Sequence, residues 1–309
     1  MAKKFGGIYY FYMFLVVAIW SVSPLIDRVF FFSKFSATVY VFMGALITAV
    51  SFTLLSAKKF KLLNKSYLKV AGITGICYSF ATISQKIGLQ YTTPSMYAFL
   101  ENTSCIIVPV LMLVLYKKKP CLPVALASVI CLAGCFILSG GGLSGGLGIG
   151  NILCALAGVL YAGNIVGTGV YAKNMDPMLY LMIQKWVSVV TTFIMMLFLH
   201  FTESDGVPLE TMKFTFDPAI LAFVVLHNLV VGSFCWTLRT VAVTKIDVTV
   251  VTIVMSTPAV FTTIISILIG RDTVTSSLVW GATLIFGAVL LSSLGEAYVR
   301  KRNEKQPAL

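Results

Sequence analysis

The chain has 309 residues, of which 58% are hydrophobic and only 11% are charged. Because a soluble domain has about 25% charged residues, this composition excludes a water-soluble globular protein and predicts an integral membrane protein. The net charge of +12 does not by itself indicate a nucleic-acid partner. A basic excess in membrane proteins usually comes from cytoplasmic loops.

Ten apolar runs are long enough to cross a bilayer, which takes about 20 residues at a rise of about 1.5 Å each. In chain order they are 8–27, 36–57, 68–89, 94–116, 121–139, 150–171, 178–200, 218–240, 247–269 and 275–297. Lys3 and Lys4 precede the first run, as in a signal peptide. We expect this run to be retained, because it is too long for a signal peptide and lacks a clear cleavage site.

The basic residues predict the orientation, because short cytoplasmic loops carry an excess of Lys and Arg. With the N-terminus inside, 16 basic residues fall in inner segments and four in outer segments. The inner ones are Lys3, Lys4, Lys58, Lys59, Lys61, Lys65, Lys69, Lys117, Lys118, Lys119, Lys173, Lys245, Arg300, Lys301, Arg302 and Lys305. The outer ones are Arg28, Lys34, Lys213 and Arg271. We therefore expect a multi-pass protein of the cell membrane with both termini in the cytoplasm.

The two halves of the chain repeat each other. Trp20 aligns with Tyr161 and Tyr40 with Tyr180, and the fourth and ninth runs share a proline. Each half holds five runs, an odd number, so the second half is predicted to lie inverted relative to the first. Inverted repeats are typical of secondary transporters, which bind substrate at the repeat interface near the membrane midplane. The predicted organisation is a first repeat at 1–140, a Gly-rich external linker at 141–149, a second repeat at 150–298 and a basic cytoplasmic tail at 299–309.

Two stretches carry a resemblance to a known family. They are IGLQYTTPSMYAFLENTSCIIVPVL at 87–111 and TLRTVAVTKIDVTVVTIVMSTPAVFT at 237–262. Gly270-Arg271-Asp272 follows the second stretch, where the family often has Gly-Glu. Over about 8–297 the chain resembles the EamA-like group of the drug/metabolite transporter superfamily. The resemblance implies an all-α membrane protein of ten transmembrane helices in two inverted five-helix repeats. Members of that family carry amino acids, other small metabolites, nucleotide sugars or drugs.

Glu101 and Asn102 stand inside the fourth run, where an ionisable residue costs about 2.5 kcal/mol or more. Glu101 is a candidate for binding a cationic group of the substrate or a proton. Two structural alternatives remain open: an ion pair with Lys86, and hydration near the outer interface. Pro109 lies further along the run and is expected to bend the helix.

Further candidates are polar and aromatic side chains within the runs. With Glu101 and Asn102, the candidate substrate-binding residues are Tyr97, Lys86, Trp20, Tyr161, Asn164, Gln184 and Lys185. Each has a structural alternative: snorkelling for lysine, an interhelical hydrogen bond for Asn164, and packing for the aromatic rings.

The repeat positions of Trp20 and Tyr161 favour a sandwich around an apolar or planar part of the substrate. His227 is a second candidate for proton coupling, and a hydrogen-bonded pair with Asn228 is its structural alternative. Arg239, at the end of the eighth run, is interpreted as snorkelling to the interface.

The favoured function is secondary active or facilitative transport of small organic metabolites by alternating access, with export of amino acids or related amphiphilic compounds. The alternatives are efflux of drugs or toxic cations, nucleotide-sugar-type exchange, and a non-transporting structural or receptor-like membrane protein. The sequence shows no catalytic constellation, so we do not expect an enzyme. The cysteines are interpreted as buried hydrophobes, and neither a metal nor a cofactor is expected. The expected partners are a small-molecule substrate, the lipid bilayer and protons, with no nucleic acid.

Overall fold

The computed structural model describes residues 6–92, 94–138, 148–204, 207–208, 210–268 and 275–305. Most of these residues are helical. In chain order the α-helices are α1 (Gly6–Trp20), α2 (Ser23–Ile26), α3 (Ala37–Ser56), α4 (Lys65–Tyr91), α5 (Pro94–Glu101), α6 (Ser104–Tyr116), α7 (Leu122–Leu138), α8 (Ile149–Tyr171), α9 (Pro177–Phe201), α10 (Pro218–His227), α11 (Cys235–Lys245), α12 (Val248–Val254), α13 (Thr257–Leu268) and α14 (Ser276–Lys305). Between α9 and α10, β1 (Glu203–Ser204) pairs with β2 (Val207–Pro208) in an antiparallel hairpin. Residues 141–147 of the predicted linker and the Gly270-Arg271-Asp272 motif lie outside the described residues.

Some helices continue one another through non-α turns. A π-helical segment at Asp27–Phe31 extends α2, and a second one at Asn228–Phe234 joins α10 to α11. A π-helical turn holds more residues than an α-turn and is frequent at functional sites. Asp27 begins the first segment and His227 directly precedes the second.

The surface and the helix lengths suit a bilayer. Among the described residues, seven helical stretches are long and apolar enough to cross a membrane. They are Gly7–Phe31, Ala37–Leu62, Phe99–Tyr116, Ile149–Tyr171, Pro177–Phe201, Pro218–Lys245 and Ser276–Gly295, beside shorter apolar helices at Leu122–Leu138 and Val248–Thr262. Large apolar side chains such as Leu54 and Trp280 are 75% and 65% exposed. The predicted all-α membrane architecture is confirmed, whereas the number of crossings stays a prediction.

Side-chain caps fix where several helices begin. Asn64, Asp176, Asp217 and Asp247 each accept backbone N–H groups at the start of α4, α9, α10 and α12. Such a cap satisfies donors that have no partner within the helix, and it stabilises the helix by about 1 kcal/mol. Proline follows Asp176 and Asp217 directly, at a position where its missing N–H removes no helical hydrogen bond.

The fourth predicted span and its counterpart, the ninth, are both broken. The first break lies at Asn102 and Thr103, between α5 and α6, and the second at Met255 and Ser256, between α12 and α13. Pro258 stands in the first turn of α13, where proline is tolerated. Pro109 instead lies inside α6. The first break therefore falls beside Glu101 and not at the proline.

Five helix pairs make the most extensive contacts: α7 with α14, α4 with α8, α3 with α9, α4 with α9, and α1 with α11. Each pair takes one helix from each predicted repeat. At the crossing of α7 and α14, a Cβ atom at Gly134 would lie 3.0 Å from the Gly281 carbonyl oxygen. Likewise, a Cβ atom at Gly158 in α8 would lie 2.7 Å from the Leu100 carbonyl oxygen. Glycine thus lets α8 pack directly against the break in the fourth span.

Candidate substrate site

A cavity of about 220 Å³ lies between helices of both halves. Asp27 and Glu101 reach it from the first half, and His227 and Arg239 from the second. Its size falls between a cavity of about 150 Å³ that accepts benzene and the lower limit of about 300 Å³ for drug-sized ligands. The cavity therefore has room for a small metabolite.

One wall of the cavity holds a network of charged side chains. Asp27 is fully buried and forms a salt bridge with Lys86 through Oδ2. Its Oδ1 atom accepts a hydrogen bond of 2.8 Å from the Tyr40 hydroxyl. The same hydroxyl lies 3.1 Å from His227 Nδ1. Because this salt bridge is buried and hydrogen-bonded, removal of one partner would leave a charge without compensation.

The donor pattern of this network assigns the His227 tautomer. The Tyr40 hydroxyl has a single hydrogen and donates it to Asp27, so its oxygen accepts a hydrogen bond from the Nδ1–H group of His227. In the neutral ring, Nε2 is then an acceptor. Nε2 is buried and has no hydrogen-bond partner among the described residues. His227 thus presents an unoccupied proton-binding atom.

Glu101 belongs to a second network, at the end of α5. Its carboxyl group interacts with Tyr97 and Gln85, and electrostatically with Lys86 and Arg239. Gln85 Nε2 donates to the Tyr97 hydroxyl at 2.6 Å, and Gln85 Oε1 accepts from the Tyr161 hydroxyl at 2.8 Å. The first break in the helices therefore places an acidic group at the cavity within a chain of hydrogen bonds.

Four aromatic rings form another wall. Trp20 packs against Trp236 with ring centroids 5.5 Å apart, and Tyr78 packs edge-on against Trp236 at 4.7 Å. Tyr161 lies 6.4 Å from Tyr78. All four line the cavity, and Trp20 donates its indole N–H to the Val231 carbonyl oxygen. Trp20 and Tyr161 thus belong to one wall rather than to two separate faces.

Two cations lie against these rings. Lys185 Nζ is 3.7 Å from the centre of the Tyr78 ring and 4.3 Å from that of Trp236. The Arg239 guanidinium carbon is 4.4 Å from the centre of the Trp236 ring. Lys185 is 1% exposed and Arg239 is 3% exposed. Such contacts stabilise a desolvated cation by about 2 kcal/mol, which offsets part of the penalty for its burial.

A neutral network lies away from the cavity lining, around Tyr180. The Tyr180 hydroxyl is 2.7 Å from Thr74 Oγ1, 2.8 Å from Thr168 Oγ1 and 3.2 Å from Gln184 Nε2. Asn164 Nδ2 donates to the Thr74 carbonyl oxygen at 3.0 Å. These bonds connect α4, α8 and α9 through polar groups that carry no charge.

The structure places most predicted candidates at the cavity. Trp20, Lys86, Tyr97, Glu101, Asn102, Tyr161 and His227 line it. Asn164, Gln184 and Lys185 are buried behind this lining.

Two sequence-based interpretations need correction. The salt-bridge partner of Lys86 is Asp27 and not Glu101. Asp27 is carried to the cavity wall because the first helix continues beyond it as a π-helical segment. Snorkelling of Arg239 is also wrong, since its side chain is buried against Trp236 and lines the cavity.

Sequence reasoning missed Asp27, Tyr40, Tyr78 and Trp236 as site residues. Asp27 stands at the end of the first apolar run, where a charge normally marks the interface. The signal was present: Val29 to Phe32 continue the apolar pattern beyond it. An acidic residue followed by such a run indicates a helix that carries the carboxyl group into the protein.

The comparisons with known proteins agree with this architecture. A model of the EamA-like transporter family matches the chain twice, at residues 7–140 and 148–294. No curated protein matches the sequence significantly. One solved structure, titled only "Crystal structure of protein", superimposes with a TM-score of 0.71 over 94% of this chain and 98% of its own. The two share 14% sequence identity, so this likeness shows the fold alone. Since the two family matches cover nearly the whole chain, the protein belongs to the EamA-like transporter family and is a multi-pass membrane transporter of small molecules.

Proposed function

We propose that the protein is a secondary carrier that moves small organic metabolites by alternating access, exporting amino acids or related amphiphilic compounds. The observation that carries the proposal is the cavity, where charged groups from both halves meet inside a molecule with an apolar surface. Buried ionisable groups are expensive in a membrane and usually mark a substrate or ion pathway. A purely structural membrane protein has no use for them.

Helix packing supports ten spans in two inverted repeats at 1–140 and 150–298. If the repeats exchange, the first span takes the place of the sixth and the third that of the eighth. The α1–α11 pair then maps onto the α4–α8 pair, while α3–α9 and α7–α14 each map onto themselves. These pairs are the ones that a pseudo-twofold axis would exchange or preserve, and the α4–α9 pair corresponds in the same way to the smaller contact of α3 with the segment 218–234. The distribution of basic residues favours cytoplasmic termini and the cell membrane.

Size and polarity support small amphiphilic cargo. A cavity of about 220 Å³ is too small for a nucleotide sugar, and its aromatic wall suits an apolar body. Lys185 and Arg239 would repel a cationic drug. An amino acid combines an apolar side chain with charged groups. The cavity offers an aromatic wall for the first and charged side chains for the second.

Glu101 and His227 are the proposed proton-coupling groups. Glu101 sits within electrostatic range of Arg239 and Lys86, so a change in its protonation alters the charge of the whole cavity. His227 offers its Nε2 atom to a proton. In this scheme, protonation in one part of the cycle changes how tightly the cavity holds its cargo.

Flux into proteoliposomes tests the proposed function. Purified protein is reconstituted, and uptake of radiolabelled amino acids is followed with and without a pH gradient. We expect saturable uptake that the gradient stimulates, and we expect Glu101→Gln to abolish the stimulation. Ser292→Ala is the matched control, because Ser292 is buried in α14 away from the cavity. Absence of flux for a broad panel of small metabolites would refute the carrier function.

A further inference from the structure

Two basic side chains, Lys185 and Arg239, lie against the aromatic wall. Lys185 and Arg239 are both buried, and they lie close enough for their charges to repel each other. Neither forms a salt bridge within the described part of the chain. The aromatic rings stabilise the cations, and Arg239 Nη1 still lacks a hydrogen-bond partner among the described residues.

The other carboxylates whose side chains the structure describes have partners elsewhere. Asp27 binds Lys86 and Tyr40, Asp176 binds Lys59, Glu210 binds Thr38, and Asp217 and Asp247 accept backbone N–H groups at helix starts. Once Lys86 and Asp27 cancel, the Arg239 guanidinium group faces Glu101 at the cavity, and the Lys185 amino group lies behind the lining. The cavity therefore keeps an excess positive charge whenever Glu101 is protonated.

Two unused polar groups point to the place where an anion would bind. Arg239 Nη1 and Ser188 Oγ are buried and lack a hydrogen-bond partner among the described residues. Both residues line the cavity. Ser188 stands three residues after Lys185, which is about one turn along α9. A guanidinium group and a hydroxyl group can both donate to carboxylate oxygens.

We infer that the cargo binds through a carboxylate group, held by Arg239 and Ser188 with Lys185 beneath them, while its apolar body lies against the wall of Trp20, Tyr78, Tyr161 and Trp236. The inference deepens the proposed function and rests on it, because it names the chemical group by which the carrier holds its cargo. Two sources supply this chemistry. The ammonium group of a zwitterionic amino acid would reach Glu101. A monocarboxylate has no ammonium group, so Glu101 would bind a proton instead.

Matched ligands separate carboxylate recognition from general amphiphilic binding. Binding to purified protein is measured for phenylalanine, 3-phenylpropionate, phenylalaninamide and phenethylamine, and for the corresponding sets with branched and polar side chains. We expect the acids to bind about 10- to 100-fold more tightly than the amides and amines, as for a lost hydrogen bond to a charged group. A preference for phenylalanine over 3-phenylpropionate assigns the ammonium group to Glu101, and equal affinity assigns the site to monocarboxylates.

Variants locate the carboxylate site. Arg239→Gln is expected to remove most of the preference for acids over amides, and Arg239→Lys to restore part of it, since lysine keeps the charge but not the planar donor geometry. Ser188→Ala is expected to weaken acid binding by about 3- to 10-fold. Lys173→Gln, at an exposed lysine, is the control for loss of one positive charge. Melting temperatures of the same samples show which variants are folded.

The outcomes separate the inference from the function on which it rests. If amides and amines bind as tightly as acids, or if folded Arg239→Gln and Ser188→Ala both retain the preference for acids, the carboxylate assignment is overturned while flux still supports a carrier. If the wild-type protein moves no compound of the panel in liposomes, the proposed function itself fails.

Discussion

Tyr40 and Tyr180 occupy equivalent places in the two halves but serve different networks. Each is the fourth residue of its helix, Tyr40 in α3 and Tyr180 in α9, and each is buried. The hydroxyl of Tyr40 binds Asp27 and His227 within the charged network on the cavity wall. The hydroxyl of Tyr180 contacts threonine and glutamine side chains away from the cavity. One scaffold therefore carries a charged network in one half and a neutral network in the other.

The difference means that opening the two networks carries different free-energy penalties. Separation of the partners of a buried ion pair leaves charge uncompensated, while Thr74 and Thr168 also donate to backbone carbonyl groups of their own helices. If each network closes one end of the carrier, the charged end is the harder one to open. It is also the end that a proton or a charged cargo can influence.

Removal of the Asp27 charge is expected to have the largest effect. Asp27→Asn leaves the ammonium group of Lys86 without its salt-bridge partner, which costs about 3–5 kcal/mol for a buried pair. Thermal unfolding in detergent, followed with a thiol-reactive dye, measures the loss, because buried cysteines such as Cys105 and Cys131 react once the fold opens. We expect the largest fall in Tm of the variants proposed here.

The double variant Asp27→Asn/Lys86→Met is the control for this prediction. Removal of both charges should recover most of the lost stability, because an apolar replacement of a whole buried pair is often neutral. A double variant as unstable as the single one would contradict the role of the salt bridge.

Tyr40→Phe is expected to cause the second-largest loss of thermal stability. The change removes the donor to Asp27 Oδ1 and the acceptor for His227, and a hydrogen bond to a charged group contributes about 1.5–3 kcal/mol. The same dye assay measures the change in Tm. A double-mutant cycle with Asp27→Asn tests the coupling: the loss of Tm caused by Tyr40→Phe should be smaller in the Asp27→Asn background. An equal loss in both backgrounds would refute the coupling.

Tyr180→Phe is expected to have a smaller effect than Tyr40→Phe, of about 1 kcal/mol. It removes the hydroxyl that joins Thr74, Thr168 and Gln184, but both threonines retain backbone acceptors. The measurement is again the Tm in detergent, with both single variants in one series. If Tyr180→Phe proves more destabilising than Tyr40→Phe, the charged network does not contribute more to stability than the neutral one.

The smallest effect is expected for the half-exposed ion pair of Lys59 and Asp176. Lys59 Nζ lies 2.6 Å from Asp176 Oδ2, with side chains 43% and 20% exposed. Solvent and salt weaken such pairs, so Lys59→Met should cost at most about 1 kcal/mol. The difference in Tm between wild type and variant should shrink in 1 M NaCl, where the Debye length of about 3 Å is close to the separation of the pair. A difference that salt leaves unchanged would indicate packing rather than charge.

The fold was largely accessible from the sequence because apolar runs and caps act locally. The predicted run 150–171 corresponds to α8 at Ile149–Tyr171, and 178–200 to α9 at Pro177–Phe201. The site was accessible only in part. Glu101 stood out as a charge within an apolar run, but its position at a helix break depends on the packing of Gly158 against that break. The pairing of Lys86 with Asp27 joins residues 59 positions apart, and no local pattern reveals it.

The π-helical segment at Asn228–Phe234 determines how far the side chains of α11 are rotated about the helix axis relative to those of α10. Trp236 follows His227 by nine residues, which is about 2.5 turns of an α-helix, so a regular helix would place them on opposite faces. Both line the cavity. A π-segment accommodates an extra residue, and one residue corresponds to a rotation of about 100°.

This rotation turns Trp236 toward the side of His227. A helical wheel drawn across residues 218–245 therefore assigns Trp236 and Arg239 to the wrong face. By the same geometry, a regular α-helix through all of residues 228–234 would rotate both side chains out of the cavity, whereas deletion of one residue within this segment would remove the π-turn and keep both side chains at the cavity.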